Sequence, residues 1–406
     1  MTTTDRLLAQ TLREEAGPLV ASLSRRFGDF DLAEEAVQGA VAEALTAWRR
    51  DGPPERPGAW LHTAARRNAM DAVRRRDRQR ALATRLDPPA EPRSGTDDRL
   101  ALLFACCHPA LAPEARLALT LRAVVGLTTP QIARAFLVNE TTLAQRVVRA
   151  KRKIVSAGIA LTVPPDEQLS ERLDDVLAVV YVMFNEGFVS STGATQDRDL
   201  AADAVWLAGV VATALPREAE AWGLASLLTI QHARGPARFD EHGGLVLLRD
   251  QDRSRWDAEA IAEGDRLLER AASLRRPGRY QLQAAIAAVH ASAPSWAATD
   301  WLQIVTLYEL LLEHDPSPVT RLNRAVAVAQ LGDRQAAAAL ADVEALAGPL
   351  AAYHLFHATR AELLARLGRE AEAAEADRRA LELTANTAER RLLTTRLHSR
   401  RLDDGS

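Results

Sequence analysis

Apolar residues recur at three- and four-residue intervals through almost the whole sequence, and nowhere do polar and apolar positions alternate for long enough to make a half-buried strand. Ala, Leu, Arg and Glu, all strong helix formers, are abundant. The chain therefore reads as all-α. Three breaks interrupt the pattern: Asp51-Gly52-Pro53-Pro54, a Pro/Arg/Gly-rich stretch from Asp87 to Thr96, and Val163-Pro164-Pro165-Asp166. The last two mark domain boundaries. They predict a helical unit at 1–80, a flexible linker at 81–96, a second small unit at 97–162 and a larger α-helical unit at 163–406.

The net charge of -3 conceals two opposed halves. Residues 1–158 hold 25 Arg and Lys against 18 Asp and Glu, a balance of +7, and the remainder holds 26 against 36, or -10. A basic front half fits a polyanionic partner. Lys151 and Lys153 are the only lysines, and neither follows a phosphate-binding glycine loop. With no nucleophile elbow, His-Glu-x-x-His or Gly-x-Gly-x-x-Gly either, no enzyme activity is expected. Cofactor and metal are likewise expected to be none: Cys106 and Cys107 are adjacent and followed by His108, without a second Cys/His pair at ligand spacing. They read as a buried structural pair in a reducing compartment. Every apolar stretch is broken by Arg, Asp or Glu before the roughly 20 residues of a membrane span. No leader pattern opens the chain, so a cytoplasmic protein without membrane contact is expected.

The segment from Gly126 to Ala150 has the pattern of a helix-turn-helix. Thr128 or Thr129 is placed to cap a first helix, and Pro130 suits its first turn, where the missing N–H would have had no partner. Leu137 and Val138 form the turn, and Asn139 caps the second helix. There Leu143, Val147, Ala150 and Ile154 share a buried face. Thr141, Thr142, Gln145, Arg149 and Arg152 lie opposite, with Arg146 and Lys153 on the shoulder. Short polar groups first and cations later is the order of a recognition helix, whose early residues meet base edges and whose later ones reach phosphates.

In the first unit Ala33, Val37, Ala40, Val41, Ala44 and Leu45 recur at helical spacing as one apolar face, leaving Glu34, Glu35, Gln38 and Glu43 in solvent. Asp31 is an N-cap or first-turn acid. A second helix from about Gly58 begins apolar, with Ala59-Trp60-Leu61, and ends basic at Arg74-Arg75-Arg76.

The two units in this order resemble regions 2 and 4 of the sigma-70 family in the reduced extracytoplasmic-function (ECF) form. Asp31-Leu32-Ala33-Glu34-Glu35-Ala36-Val37-Gln38 looks like the region 2 helix that docks on the beta-prime clamp helices of core RNA polymerase, which implies polymerase contacts by Asp31, Glu34, Glu35 and Gln38. Ala59-Trp60-Leu61 through Ala65-Arg66, with Asp71-Ala72-Val73-Arg74-Arg75, looks like the segment that melts and reads the -10 element. The likeness implies DNA contacts by Trp60, Arg66, Arg67, Asn68, Asp71, Arg74 and Arg75. The helix-turn-helix corresponds to region 4, implying -35 contacts by Thr141, Thr142, Gln145, Arg146, Arg149, Arg152 and Lys153, and contact with the beta flap. Two features depart from the family pattern: Gly39 stands where an acid usually follows Gln, and Arg67-Asn68 reverses the familiar Asn-Arg order.

Cys106-Cys107-His108-Pro109-Ala110-Leu111, Ala135-Phe136-Leu137-Val138, Phe184-Asn185-Glu186-Gly187-Phe188, the stretch Asp250 to Asp257, and Tyr280 to Ile286 resemble the sigma-factor subfamily with a tetratricopeptide-like C-terminal domain. The implied function is promoter-specific initiation of transcription, with an extension that influences it. Two Leu-Gly pairs, Leu331-Gly332 and Leu367-Gly368, lie 36 residues apart, close to the roughly 34-residue tetratricopeptide period. Stacked helix pairs over about 298–390 would present a concave surface. Asn185, Glu186, Asp252, Arg253 and Trp256 are the candidate regulatory residues; they also read as turn-fixing and interhelical groups anchored by Trp256. An acidic domain tethered to basic reading helices has a high effective concentration for them, so intramolecular contact between the C-terminal domain and the sigma regions is expected.

Overall fold

The computed structural model describes residues 3–27, 29–80, 96–135, 138–189 and 200–403. Among these there is no β-strand, only an isolated antiparallel bridge between Phe239 and Leu245, in keeping with the all-α expectation. No helix among them is long and apolar enough to cross a membrane. The chain divides into two compact units, Met1–Glu186 and Gly187–Ser406.

The first unit opens with α1 (Thr3–Phe27), α2 (Phe30–Asp51) and α3 (Pro57–Arg80). Helix α2 begins where the carboxylate of Asp29 accepts the Leu32 N–H at 3.0 Å, so Asp31 is a first-turn acid and not the cap. It stops at Gly52, whose φ of +82° precedes Pro53-Pro54. Leu32, Ala33, Ala36, Val37, Ala40, Ala44 and Trp48 are its buried apolar stripe, and four alanines among them let its neighbours approach closely. Two expectations for this helix are corrected. Leu45, placed in the apolar face, is 38% exposed, whereas Glu34, placed in solvent, is only 8% exposed. The reason is tertiary: Glu34 faces helices from later in the chain, and their cations make its burial tolerable.

Helices α4 (Thr96–Cys106), α5 (Pro113–Ala123), α6 (Thr129–Ala135), α7 (Glu140–Ser156) and α8 (Asp166–Val189) follow. Phe104, Leu119, Leu121, Ile132 and Leu143 are fully buried between them. Cys106 and Cys107 are free and wholly buried, and burial pushes the Cys107 thiol up to about 12. The expected linker, apart from Thr96, lies outside the described residues. The expected boundary at 163 does fall just before a helix, but the compact units divide after Glu186, because α8 is tied to its predecessors. Arg172 donates to the Phe104 carbonyl at 2.7 Å, and Arg116 pairs with Asp175.

The second unit runs through α9 (Leu200–Ala214), α10 (Ala219–Ala233), α11 (Ala258–Ser273), α12 (Arg279–Ser292) and α13 (Trp301–His314). Helix α10 is its centre, buried on nearly every side. Gly223 is required there: a Cβ would lie 2.7 Å from the Gln281 backbone nitrogen of α12. Glu220 of α10 accepts the N–H groups of Tyr280 and Gln281 at 2.8 and 3.0 Å, capping α12, whose preceding Gly278 offers no side chain. Then come α14 (Pro318–Ala329), α15 (Asp333–Glu344), the single-turn α16 (Ala347–Leu350), α17 (His354–Arg366), α18 (Glu370–Leu383) and α19 (Thr387–Asp403). Pairs α14/α15 and α17/α18 are helix hairpins that turn at the two Leu-Gly pairs, with positive φ at Gly332 and Gly368, and share one core around Leu340, Val343, Phe356 and Leu364.

A second cluster closes the end of α12. Arg253 donates to the carbonyls of His290 and of Ala293, the latter at 2.6 Å, and its guanidinium lies 4.8 Å from the ring of Trp256, which is 6% exposed. Arg234 approaches the same ring at 5.6 Å. His290 meets Trp301 edge-on at 5.3 Å. Burial first, then the charges of Arg234 and Arg253, push the His290 imidazole down from 6.5 to about 4. The unfolded chain therefore takes up this proton at higher pH than the folded one, so the stability is complete above pH 6.5 and drains away as pH falls toward 4. Denaturant unfolding followed by tryptophan fluorescence is expected to show a loss of roughly 3 kcal/mol across that window. A His290→Gln variant, which cannot be protonated, should show a clearly shallower pH slope.

Candidate nucleic-acid and polymerase interface

Helix α7 presents the first part of the interface. The Asn139 side chain accepts the Thr141 N–H at 2.9 Å from an extended backbone, as a cap should. The preceding helix is capped by Thr128, not Thr129: the Gln131 side-chain oxygen accepts the Thr128 N–H at 2.8 Å, and the Thr128 hydroxyl accepts the Gln131 N–H at 3.4 Å, a reciprocal capping box. Of the turn, Leu137 lies outside the described residues, and the Val138 N–H donates to the Ala133 carbonyl at 3.0 Å.

Leu143, Val147, Ala150 and Ile154 are the buried residues of α7, as their spacing requires. Thr141, Thr142, Gln145, Arg149, Arg152 and Lys153 are exposed together, and Arg146 is half-buried at their edge. Among the described residues no carboxylate pairs with Arg146, Arg149, Arg152 or Lys153, so four cations face outward uncompensated. Such a surface attracts phosphate oxygens.

Helix α3 presents the second part. Arg66, Arg67, Asp71, Arg74 and Arg75 are exposed along it. A shallow groove of about 280 Å³ is lined by Thr63, Arg66, Arg67, Met70, Asp71 and Arg74. Thr63 and Met70 were not among the expected site residues, although their helical spacing with Arg66, Arg67 and Arg74 places them on that face. Arg67 pairs with Glu43 of α2, and Arg74 stands 3.8 Å from Asp71. Trp60 stands edge-on to the buried Trp48, ring centroids 5.7 Å apart. Asn68 turns inward, donating to the Ala36 carbonyl at 3.4 Å, and a Cβ on Gly39 would come within 2.9 Å of its amide nitrogen. Gly39 and Asn68 are therefore neighbours in one packing contact, in which the absence of a Cβ on the glycine leaves room for the asparagine amide.

On α2, Asp31, Glu35 and Gln38 are exposed and Glu34 is not. Its Oε1 accepts Arg122 Nε of α5 at 2.6 Å and Gln38 Nε2 at 2.9 Å, and its Oε2 accepts Lys151 Nζ of α7. Lys151 also reaches Asp31 at 2.9 Å. Sequence reasoning found neither cation as a partner, since nothing local points across 117 residues. Of the regulatory candidates, Asn185 and Glu186 end the first unit on α8. Asp252, Arg253 and Trp256 belong to the second. Asp252 accepts the Ser254 N–H at 2.9 Å and its hydroxyl at 2.7 Å, fixing a three-residue turn.

Residues 12–79 match the family model for sigma-70 region 2, and residues 101–154 that for sigma-70 region 4. The chain thus carries sigma-70 region 2 and region 4 domains, which support a sigma-factor role in transcription initiation. An uncharacterized protein of Rhizobium meliloti (strain 1021) is 43% identical over 388 residues, covering 91% of this chain and 90% of its own length; the chain belongs to the same family. Over 158 residues, 36% of this chain, it is 31% identical to the "Probable ECF RNA polymerase sigma factor SigI" of Mycobacterium tuberculosis, and this match spans only 54% of that protein. Residues 172–272 match a family of unknown function (DUF6596), which ends in α11 and does not reach the later helix hairpins. Because the Asn139 cap fixes where α7 starts, Asn139→Ala is expected to cost about 1 kcal/mol in chemical denaturation. Asn139→Asp should retain most of that stability.

Proposed function

We propose that this chain is an ECF-type sigma factor that binds core RNA polymerase and directs promoter-specific initiation without covalent chemistry of its own. The observation that carries this reading is the capped helix α7, with its buried face packed and four unpaired cations outward, in one chain with the cationic groove of α3. Helix α7 reads the -35 major groove: Thr141, Thr142 and Gln145 meet base edges, and Arg146, Arg149, Arg152 and Lys153 meet phosphates. Helix α3 engages the -10 element through Arg66, Arg67, Arg74 and Arg75, with Trp60 at its start. Asp31, Glu34, Glu35 and Gln38 of α2 dock on the beta-prime clamp, and the region 4 unit on the beta flap. The likeness to the probable ECF sigma factor SigI of Mycobacterium tuberculosis supports this reading.

The second unit modulates the activity. Its two helix hairpins with a 36-residue interval support the tetratricopeptide-like description and suit a peptide or the sigma regions themselves. The place of action is the cytoplasm, where polymerase and promoters are. Run-off transcription with core enzyme tests the proposal, and a chain that binds core but initiates at no promoter would refute it. Gln145→Ala is expected to relax base preference at a single -35 position, worth about 1–3 kcal/mol of discrimination. Arg149→Ala should instead weaken all sequences alike and reduce the slope of log affinity against log salt by about 1.

A further inference from the structure

We infer that the second unit binds a small carboxylic acid, through its carboxylate, on the cluster formed by Arg234, Arg253, Trp256 and His290. The inference goes beyond the sigma-factor reading and draws on nothing in the first unit.

Four polar atoms of this cluster are buried without a hydrogen-bond partner: Arg234 Nε, Arg253 Nη2, Trp256 Nε1 and His290 Nδ1. Three of them carry an N–H, and the imidazole can present a fourth. Buried donors are normally satisfied, so unmet donors gathered around one indole call for an acceptor. Trp256 is itself 6% exposed, and both guanidiniums lie against its ring.

Charge decides which acceptor. Among the described residues no carboxylate pairs with Arg234 or Arg253. The acids that flank Arg253 in the chain are already used: Asp252 accepts from Ser254, and Asp257 caps α11 by accepting the Ala260 N–H at 2.9 Å. A third guanidinium, Arg238, also repels Arg234, but Glu389 offsets it. Burial first, then the neighbouring guanidiniums, push Arg234 down to about 10, as befits a cation held without a counter-ion. Only helix ends oppose the two charges. Arg253 donates to carbonyls at the end of α12, and Arg234 closes α10, its Nη1 2.9 Å from Gln231 Oε1. Each helix end amounts to about half a negative charge, so two of them leave about one positive charge unbalanced. A single carboxylate supplies that charge, with lone pairs enough for all the waiting donors. A phosphate dianion overshoots it.

The neighbouring rings set the rest of the ligand. Trp296 stacks on His290 with centroids 6.0 Å apart and meets Trp301 at 4.4 Å. An aromatic wall beside the donors favours an acid with a flat apolar body. The unmet donors are closed to solvent in the free chain, so the acid enters by displacing a wall. Trp296 is the side chain placed to move, because it is only half-buried and sits in the non-helical segment between α12 and α13.

The test is calorimetric titration and thermal unfolding of the full chain at fixed ionic strength, with sodium benzoate, sodium acetate and inorganic phosphate as probes. Benzoate is expected to bind saturably and to raise Tm, and acetate to bind roughly tenfold more weakly for want of apolar area. Phosphate should bind more weakly than benzoate. Trp256→Phe keeps a ring beneath the guanidiniums and removes an N–H that has no partner in the free chain. Its unliganded Tm should stay within a degree or so of the parent, while benzoate affinity falls roughly tenfold. Arg234→Met keeps the apolar stem and removes the unbalanced charge; it should abolish benzoate binding and raise the Tm of the free chain. No saturable heat with benzoate or acetate, undiminished affinity in Trp256→Phe, or a lower Tm in Arg234→Met would overturn the site. Tighter binding of phosphate than of benzoate would overturn its assignment to a carboxylate.

Discussion

The carboxylate of Glu34 is the constraint on which the first unit is organised. A buried charge is tolerable only when its oxygens are fully engaged, and here they accept from Arg122, Gln38 and Lys151. Those donors come from α5, from α2 itself and from α7, so one group ties the front helices to the helix-turn-helix unit. The alanine stripe of α2 and the glycine at position 17 let neighbouring backbones approach closely around these side chains.

On that frame the cations are sorted by what surrounds them. Lys151 and Arg122 are spent internally, while the opposite face of α7 carries Arg149, Arg152 and Lys153 without carboxylates. Helix α3 is intermediate: Arg67 and Arg74 have acidic neighbours, yet remain exposed along a groove. A surface of loosely held and free arginines over a rigid all-α core is well suited to a polyanion, because little must reorganise on binding.

The second unit solves a different problem, the closure of helix ends in a bundle. Glu220 caps the start of α12 and Arg253 its end. Further on, Asp377, wholly buried, is held by Arg396 and by Arg400 at 3.0 Å, tying α18 to α19. Asp252 and Arg253 therefore have structural employment, and Trp256 packs beneath two guanidiniums.

Much of the fold and part of the site were legible in the amino-acid order, and the division has a physical cause. The buried face of α7, its Asn139 cap and the hairpin turns at Leu331-Gly332 and Leu367-Gly368 depend on residues a few positions apart, where helical geometry alone dictates neighbours. The outward row of polar and cationic residues on α7 follows from the same periodicity. Glu34 was misplaced because its periodic position says only that it lies off the apolar stripe; whether solvent or another helix covers that side is decided by packing across 117 residues. The same holds for Asn68 over Gly39, which each look like a departure alone and become one contact in three dimensions. The sequence by itself determined the helices, the Asn139 cap and the outward polar and cationic row of α7. Only the tertiary structure decided which charges are free to meet a partner and which are already committed within the chain, because that depends on desolvation and long-range pairing, to which local periodicity is blind.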